Sequence, residues 1–193
     1  MNKIKEIITA SISVKEKILH DPMLISALQK VADEIVNCYA HDGKVLFCGN
    51  GGSAADAQHI AAELSGRFYF DRDPLDAEAL HVNTSYLTAV ANDYSYDQVY
   101  SRLIKARGRK GDVLVGISTS GNSGNVLKAF ELANEIGMIT VGMTGESGGK
   151  MKSLSTILLN APSGDTPRIQ ESHIMMGHII CELVEERMFE RGK

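Results

Sequence analysis

The sequence lacks any apolar run long enough to cross a membrane, and it lacks the apolar core of a signal peptide. Its first ten residues, MNKIKEIITA, already contain Lys3, Lys5 and Glu6. It also lacks a basic excess, because 20 Lys and Arg face 24 Asp and Glu for a net charge of −4. We therefore expect a cytoplasmic globular protein that binds neither membranes nor nucleic acid.

Cysteine is scarce and odd in number. Cys38, Cys48 and Cys181 lie far apart in apolar surroundings, which is typical of small core residues in a reducing compartment rather than of disulfides. The 193 residues, 44% of them hydrophobic, are enough to bury one sizeable core. One domain spanning 1–193 is the expectation.

Short apolar runs alternate with helical patterns along most of the chain. We predict strands at about 45–48, 79–82, 113–117, 138–143 and 157–159, with a last helix over about 166–188. Such alternation predicts an α/β fold with a five-stranded parallel sheet and right-handed crossovers. Residues 44–189 would form this core.

Residues 1–42 precede the first strand and carry two helical stripes. The first stripe includes Ile4, Ile7 and Ile8, and the second follows Pro22. Helices that protrude before the first strand have little of their own domain to cover. We therefore favour contact with other subunits for these faces.

The stretch 44–67 combines a buried strand, a glycine turn and a helix start. The turn, Gly49-Asn50-Gly51-Gly52, permits close approach of a ligand to the backbone, and Ser53 is a residue type that caps helices. Together they predict an anion site at the start of the helix. On that helix His59 and Glu63 stand at i and i+4, and therefore on one face, although such a pair alone is weak evidence for a metal.

The loop 118–123, STSGNS, is the most specific local signal. It follows a predicted strand, opens a helix and offers four hydroxyl groups but no cation. A phosphate would be held there by neutral donors and by the helix dipole. The alternative is a polar loop whose serines only cap the helix.

Several segments carry a family resemblance. The unit around STSGNS is similar to the sugar isomerase (SIS) domain, a flavodoxin-like, doubly wound fold. More narrowly, GNGGSAADAQHIAAELSGR, ANDYSYD, GDVLVGISTSGNS, MTGESGGKM and RIQESHIMMGHIICELVE resemble successive segments of the phosphoheptose isomerase family. The resemblance runs in order from Lys44 to Glu185.

The resemblance implies an enzyme that converts sedoheptulose 7-phosphate to D-glycero-D-manno-heptose 7-phosphate. The chemistry would pass through an enediol or enediolate, and the product would feed nucleotide-activated heptose for lipopolysaccharide core or capsule. It also implies a homotetramer with active sites at or near subunit interfaces. Two alternatives stay open: a non-catalytic replication-initiation adaptor of the same fold, and an isomerase or binder of another sugar phosphate.

Family roles carry over to matching positions in this chain. The phosphate would contact Ser118, Thr119, Ser120 and Ser123, and the sugar would contact Asn50, Gly51, Gly52, Ser53, Glu63 and Gln170, with Asn92 and Asp93 nearby. One zinc ion per subunit would be held by His59, Glu63, Gln170 and His178. Glu63 and His178 would also form the acid–base pair.

The proposed zinc ligands raise a geometric difficulty. Gln170 and His178 are eight residues apart, roughly 12 Å along a continuous helix. Either the helix begins late, near Gln170, or the two ligands come from different subunits. His173 lies between them, outside the family pattern, and is expected to be an ordinary polar helix residue.

Overall fold

The computed structural model describes residues 2–189, so the predicted domain limits at 1 and 193 lie outside the described part. Within it the chain forms seven α-helices and five strands. The helices are α1 (Lys3–Leu19), α2 (Pro22–Ala40), α3 (Gly52–Ser65), α4 (Thr84–Asp93), α5 (Val99–Arg107), α6 (Gly124–Ile136) and α7 (Thr166–Met188). The strands are β1 (Val45–Gly49), β2 (Ala77–Ala79), β3 (Val113–Ile117), β4 (Ile139–Thr144) and β5 (Ile157–Asn160), and short 3₁₀ turns lie at Tyr96–Gln98 and Gly149–Ser153.

All five strands are parallel and follow the order β2-β1-β3-β4-β5. This is the flavodoxin-like order, in which the chain reverses its direction of winding beside β1. In the central pair, Val45 of β1 is in register with Val113 of β3. The predicted α/β fold with a doubly wound parallel sheet is confirmed.

Alternate residues of each strand feed two separate apolar cores. On one face Val45 and Phe47 pack with side chains of α2, α3 and α7. On the other face Leu46 and Cys48 pack with side chains of α5 and α6. Because the side-chain period of a strand is two, a parallel sheet covered on both faces needs apolar residues at every position. The VLFC run that begins β1 meets that need.

Two local predictions were wrong. The edge strand β2 covers Ala77–Ala79 rather than 79–82, because the chain turns after Ala79, whose carbonyl accepts a hydrogen bond from Val82 N. Ser53 does not cap α3. The helix begins at Gly52, two residues earlier than a Ser53 cap would allow, and its N-cap is Gly51, with φ of 58° and ψ of −123°, a conformation open mainly to glycine.

The N-terminal helices α1 and α2 form as predicted. Asp21 caps α2 by accepting hydrogen bonds from Met23 N and Leu24 N, and Pro22 occupies the first helical position. Helix α2 packs against α7, whereas α1 buries only Val14 and Ile18. The remaining apolar side chains of α1 face away from the chain's own core.

The cysteines are buried and unpaired, as predicted. Burial raises the pKa of the Cys38 thiol to about 11, with the nearby Asp112 carboxylate adding to the effect, so this thiol stays protonated at neutral pH. Among residues 2–189, no helix is both long enough and apolar enough to span a bilayer.

Candidate active site

Three loops meet at the carboxyl edge of the sheet, where parallel α/β proteins bind their ligands. They follow β1, β3 and β4 and consist of residues 50–52, 118–123 and 145–148, and Gly52 is also the first residue of α3. We call them the glycine loop, the hydroxyl loop and the third loop. Helices α3 and α7 pack against each other beside them.

A cluster of three side chains joins α3 to α7. The Nε2 atom of His59 lies 3.0 Å from Nε2 of His178 and 3.1 Å from Oε1 of Glu63. One donor atom from each residue falls within 4.8 Å of the others. His59 is exposed and the other two are half-buried, so the cluster is open to solvent and to substrate.

Close packing of the two helices brings the cluster together. A Cβ atom at Gly177 would lie 2.4 Å from Cδ1 and 2.7 Å from Cγ1 of Ile60, so any larger residue here would require the Ile60 side chain to shift. Gly177 directly precedes His178, and Ile60 directly follows His59. This close contact between the helices therefore lies directly beside the histidine pair.

A buried ion pair fixes the end of α3 to α7. Arg72 Nε donates to Glu185 Oε2 over 3.0 Å, and the two side chains are 2% and 1% exposed. Arg72 also donates to the carbonyls of Glu63 and Leu64 at the end of α3. Burial would raise the pKa of Glu185, but hydrogen bonds from Tyr69 N, Phe68 N and Arg72 outweigh it and lower that pKa. The carboxylate therefore stays ionised.

Helix α7 is continuous from Thr166, so the late helix start that would relieve the distance between Gln170 and His178 is wrong. The two residues lie roughly 12 Å apart along the axis. Gln170 reaches the glycine loop instead, where its Nε2 atom fills the space that a Cβ at Gly52 would need. The structure thus brings together His59, Glu63 and His178, and sets Gln170 beside the backbone of the predicted sugar site.

The hydroxyl loop has the shape of an anion site. Ser118 and Ser123 are hydrogen-bonded through their Oγ atoms at 2.9 Å, and Ser123 is the N-cap of α6 although its side chain makes no capping bond. Ser120 Oγ accepts a hydrogen bond from Asn122 N. Backbone donors in the first turn of α6 add to these hydroxyls, so the loop can hold a phosphate without a cation.

A cavity of about 340 Å³ opens beside the hydroxyl loop. The third loop, the segment between β5 and α7, and the start of α7 form its other walls, which include Glu146, Ser163 and Thr166. Thr119 and Ser120 of the hydroxyl loop also line it. Its size suits a small polar ligand. The sequence analysis did not predict Glu146 as a site residue, because nothing in the sequence indicates why a carboxylate should lie beside a phosphate-binding loop.

The glycine loop is braced from behind. Asn50 forms a pair of hydrogen bonds with Asn125, and its Oδ1 atom accepts a third from Tyr96. The sequence analysis predicted Asn50 as a site residue but did not predict its partners, Asn125 and Tyr96. The position of Asn125, two residues after the hydroxyl loop, could have indicated that it lies near the site. Ser53 is buried against the loop that it follows.

Asn92 and Asp93 end helix α4. Both are exposed, and Asn92 Nδ2 donates to Asp93 Oδ1 over 3.0 Å. Their predicted place near the substrate stays a prediction.

His173 is not the ordinary polar helix residue that was expected. It is fully buried, and its Nε2 atom donates a hydrogen bond over 3.0 Å to the carbonyl oxygen of Thr144, at the end of β4. Burial lowers its pKa to about 4, against a smaller opposing effect of that hydrogen bond. His173 is therefore neutral at pH 7 and anchors α7 to the sheet.

The strand order, the hydroxyl loop and the helix α6 that it opens together define a SIS domain, and the SIS domain family model matches residues 9–145. The chain is 54% identical to phosphoheptose isomerase of Aneurinibacillus thermoaerophilus, over 96% of this chain and 94% of the relative. It is 52% identical to that of Clostridium acetobutylicum, over 97% and 96%. The solved phosphoheptose isomerase of Neisseria gonorrhoeae superimposes with a TM-score of 0.89 at 43% identity, covering 95% of this chain and 97% of the other. The chain belongs to the phosphoheptose isomerase family of SIS-domain proteins.

Proposed function

We propose that this chain is an aldose–ketose isomerase that converts sedoheptulose 7-phosphate to D-glycero-D-manno-heptose 7-phosphate. The names and identities of the relatives support the reaction. The observation in this chain that carries it is the meeting of Glu63 and His178 beside one another, where α3 packs against α7. The product would feed nucleotide-activated heptose for lipopolysaccharide core or capsule.

The chemistry requires hydrogen to move between C1 and C2 of the sugar. In the proposed route Glu63 removes the C1 proton of the ketose as a base, which leaves an enediol or enediolate. His178 exchanges protons with the two oxygens, and Glu63 returns a proton to C2. A carboxylate and an imidazole suit these two tasks, since both are side chains that enzymes use as general acids and bases.

The phosphate would anchor the end of the open-chain sugar that lies far from the reacting carbons C1 and C2. Ser118, Thr119, Ser120 and Ser123 supply hydroxyl groups, and the N-terminal end of α6 supplies backbone donors. A fixed phosphate would restrict where C1 and C2 of the sugar can lie. The glycine loop, with Asn50, Gly51, Gly52 and Ser53, would hold the sugar oxygens.

One zinc ion per subunit is part of the proposal. Two imidazoles and one carboxylate are a common set of ligands for catalytic zinc, which keeps a further position open. Two nitrogens bound to one tetrahedral ion lie roughly 3.3 Å apart, close to the 3.0 Å between the Nε2 atoms of His59 and His178. When bound, the ion would supply a Lewis acid for a substrate oxygen. Gln170 would reach it from a neighbouring subunit or contact the sugar instead.

Self-association is also proposed, as a homotetramer with active sites at or near its interfaces. On helix α1 the side chains of Ile4, Ile8 and Ile12 are 65%, 53% and 50% exposed. An apolar face of this kind is more stable when it is buried against another subunit than when it is exposed to water. Light scattering at micromolar concentration should give the mass of four chains, and a monodisperse monomer would contradict this.

Three free thiols support a reducing, cytoplasmic setting.

The experiment that tests the reaction is direct. The pure protein is incubated with sedoheptulose 7-phosphate, and the aldose is sought by NMR. Parallel samples contain fructose 6-phosphate or an amino sugar 6-phosphate. They test the alternative that the protein is an isomerase of another sugar phosphate. Conversion of the seven-carbon sugar alone supports the proposal, conversion of another one replaces it, and conversion of none favours the non-catalytic adaptor.

A further inference from the structure

A closed pair of amide groups links the glycine loop to the hydroxyl loop. Asn50 Nδ2 donates to Asn125 Oδ1 over 2.9 Å, and Asn125 Nδ2 donates back to Asn50 Oδ1 over 2.9 Å. Asn125 is only 2% exposed and lies in the first turn of α6, directly after the hydroxyl loop. The pair therefore connects two substrate loops that are 75 residues apart in sequence.

The orientation of both amides is fixed by a group that can only donate. The backbone N–H of Val126 donates to Asn125 Oδ1 over 2.9 Å. This identifies the oxygen of Asn125, and with it the nitrogen, because a backbone N–H has no acceptor role. Asn50 must then present its nitrogen to that oxygen and its own oxygen to the nitrogen of Asn125.

Tyr96 completes the set. Its hydroxyl donates to Asn50 Oδ1 over 3.0 Å, so that oxygen accepts two hydrogen bonds and both of its lone pairs are occupied. The nitrogen of Asn50 carries two protons, and one of them is used by Asn125. What Asn50 has left is a single N–H donor.

We propose that Asn125 is a positioning residue for the isomerase, which acts through Asn50 and is assisted by Tyr96. It holds Asn50 so that this side chain offers a substrate oxygen a donor and never an acceptor. Without Asn125 the amide of Asn50 is free to rotate and to present either group. This inference rests on the proposed function, in which Asn50 contacts the sugar.

A double-mutant cycle on kcat/KM with sedoheptulose 7-phosphate tests the coupling. Asn125→Ala should lower kcat/KM about tenfold, roughly the worth of one neutral hydrogen bond. Asn50→Ala should lower it at least as much, and the double variant should match Asn50→Ala within about twofold. Independent effects would multiply to roughly a hundredfold loss, and that result, or an unchanged Asn125→Ala enzyme, would overturn the proposal.

Two further variants separate positioning from folding. Asn134 also makes side-chain hydrogen bonds but lies at the far end of α6, so Asn134→Ala should change stability and leave kcat/KM unaltered. Tyr96 is 49% exposed, and Tyr96→Phe removes only its hydroxyl. Its loss should be smaller than that of Asn125→Ala, present in the wild-type background and absent in Asn50→Ala, and equal losses in both would overturn the assisting role of Tyr96. If Asn125→Ala does not fold, Asn125→Ser takes its place in the cycle, since serine keeps a polar group at the buried position but is shorter than asparagine.

A readout without turnover separates this inference from the reaction itself. In a crystal structure of Asn125→Ala, the Asn50 amide should adopt a new rotamer or two conformers. An Asn50 side chain that stays in place would show that Asn125 does not hold it. If the wild type fails to convert sedoheptulose 7-phosphate, the proposed function is wrong, and the crystal structures still decide whether Asn125 fixes Asn50.

Discussion

His59 and His178 are hydrogen-bonded through their Nε2 atoms at 3.0 Å, although 119 residues separate them in sequence. Such a contact requires one of the two nitrogens to carry a proton and the other to accept it. Glu63 approaches the same nitrogen of His59 at 3.1 Å. The three side chains thus form one connected unit, and each prediction about catalysis or metal depends on their staying together.

The metal prediction concerns His59. Zinc should bind with one ion per chain, chelation should lower activity, and added zinc should restore it. His59→Ala should lose the ion, because only two ligands of the cluster would remain. Metal analysis by mass spectrometry measures the content directly.

The matched control for that experiment is His20→Ala. His20 is an exposed histidine whose Nδ1 atom contacts a backbone carbonyl of its own helix. It should retain the zinc. Full activity in a protein shown to contain no metal would leave His59, Glu63 and His178 as acid–base and hydrogen-bonding groups only.

A second prediction concerns the crossing of α3 and α7. Gly177→Ala places a methyl group 2.4 Å from Cδ1 of Ile60 and should force the helices apart. Overpacking of this kind costs about 1–3 kcal/mol of stability. Chemical denaturation measures the loss, and zinc affinity should fall with it.

The compensating variant is Gly177→Ala with Ile60→Ala, which removes the side chain that clashes. Zinc affinity should recover in the double variant even if the smaller side chain weakens the core. If Gly177→Ala alone leaves both stability and zinc affinity unchanged, the close packing of these helices is not what assembles the cluster.

The third prediction concerns pH and His173. Its pKa is lowered to about 4 by burial, and no charged group contributes to the shift. Between about pH 6.5 and pH 4 the unfolded chain therefore binds a proton that the folded chain does not, so stability falls as the pH is lowered through this window. In His173→Gln the loss of stability over the same window should be smaller. Denaturation curves at pH 4.5 and 7 measure it, and an identical pH dependence in both proteins would contradict the assignment.

The sequence predicted those parts of the fold that depend on local pattern. The apolar runs of β1 and β3 are nearly continuous because both faces of the sheet are covered, and STSGNS stands out as a polar loop between a strand and a helix. The position of the short edge strand β2 was predicted wrongly, because three residues are too few to show the alternation of apolar and polar side chains that marks a strand.

Contacts between distant segments could not be predicted from local pattern, and only the family resemblance grouped His59 and Glu63 with His178. Arg72 and Glu185 are 113 residues apart, and nothing near either residue indicates a buried partner. His173 lies on the buried side of α7 only because β4 ends beside it, where Thr144 offers a carbonyl. Likewise, the pairing of Asn50 with Asn125 depends on two loops meeting at one edge of the sheet.

The fourth prediction concerns the hydroxyl loop. Ser120→Ala should remove a hydrogen bond to a charged phosphate, about 1.5–3 kcal/mol. If the contact is equal in ground and transition states, KM should rise roughly tenfold to a hundredfold while kcat changes little. Ser153→Ala is a suitable control, because Ser153 is an exposed serine that contacts a backbone carbonyl outside this loop. Unchanged kinetics in Ser120→Ala would argue against phosphate binding by this residue.

In the proposed route Glu63 carries the central step, and its replacement gives the most direct test. Glu63→Gln keeps the shape of the side chain but cannot remove a proton, so the rate should fall by at least the roughly 10²–10⁴-fold contributed by one acid–base group. Because Glu63 is also a proposed zinc ligand, the zinc content of both proteins is measured alongside the rate. In D₂O the enediol route should also place solvent deuterium at C2 of the aldose, although complete shielding of the proton would prevent this.

The decisive measurement is the initial rate of aldose formation from sedoheptulose 7-phosphate by wild type and Glu63→Gln at equal zinc content, followed by NMR in D₂O. We predict rapid conversion by the wild type, with deuterium at C2, and a rate at least about a hundredfold lower for the variant. A wild type that forms no aldose would contradict the proposed reaction. A fully active Glu63→Gln, together with complete retention of protium at C2, would contradict the role of Glu63 as the base.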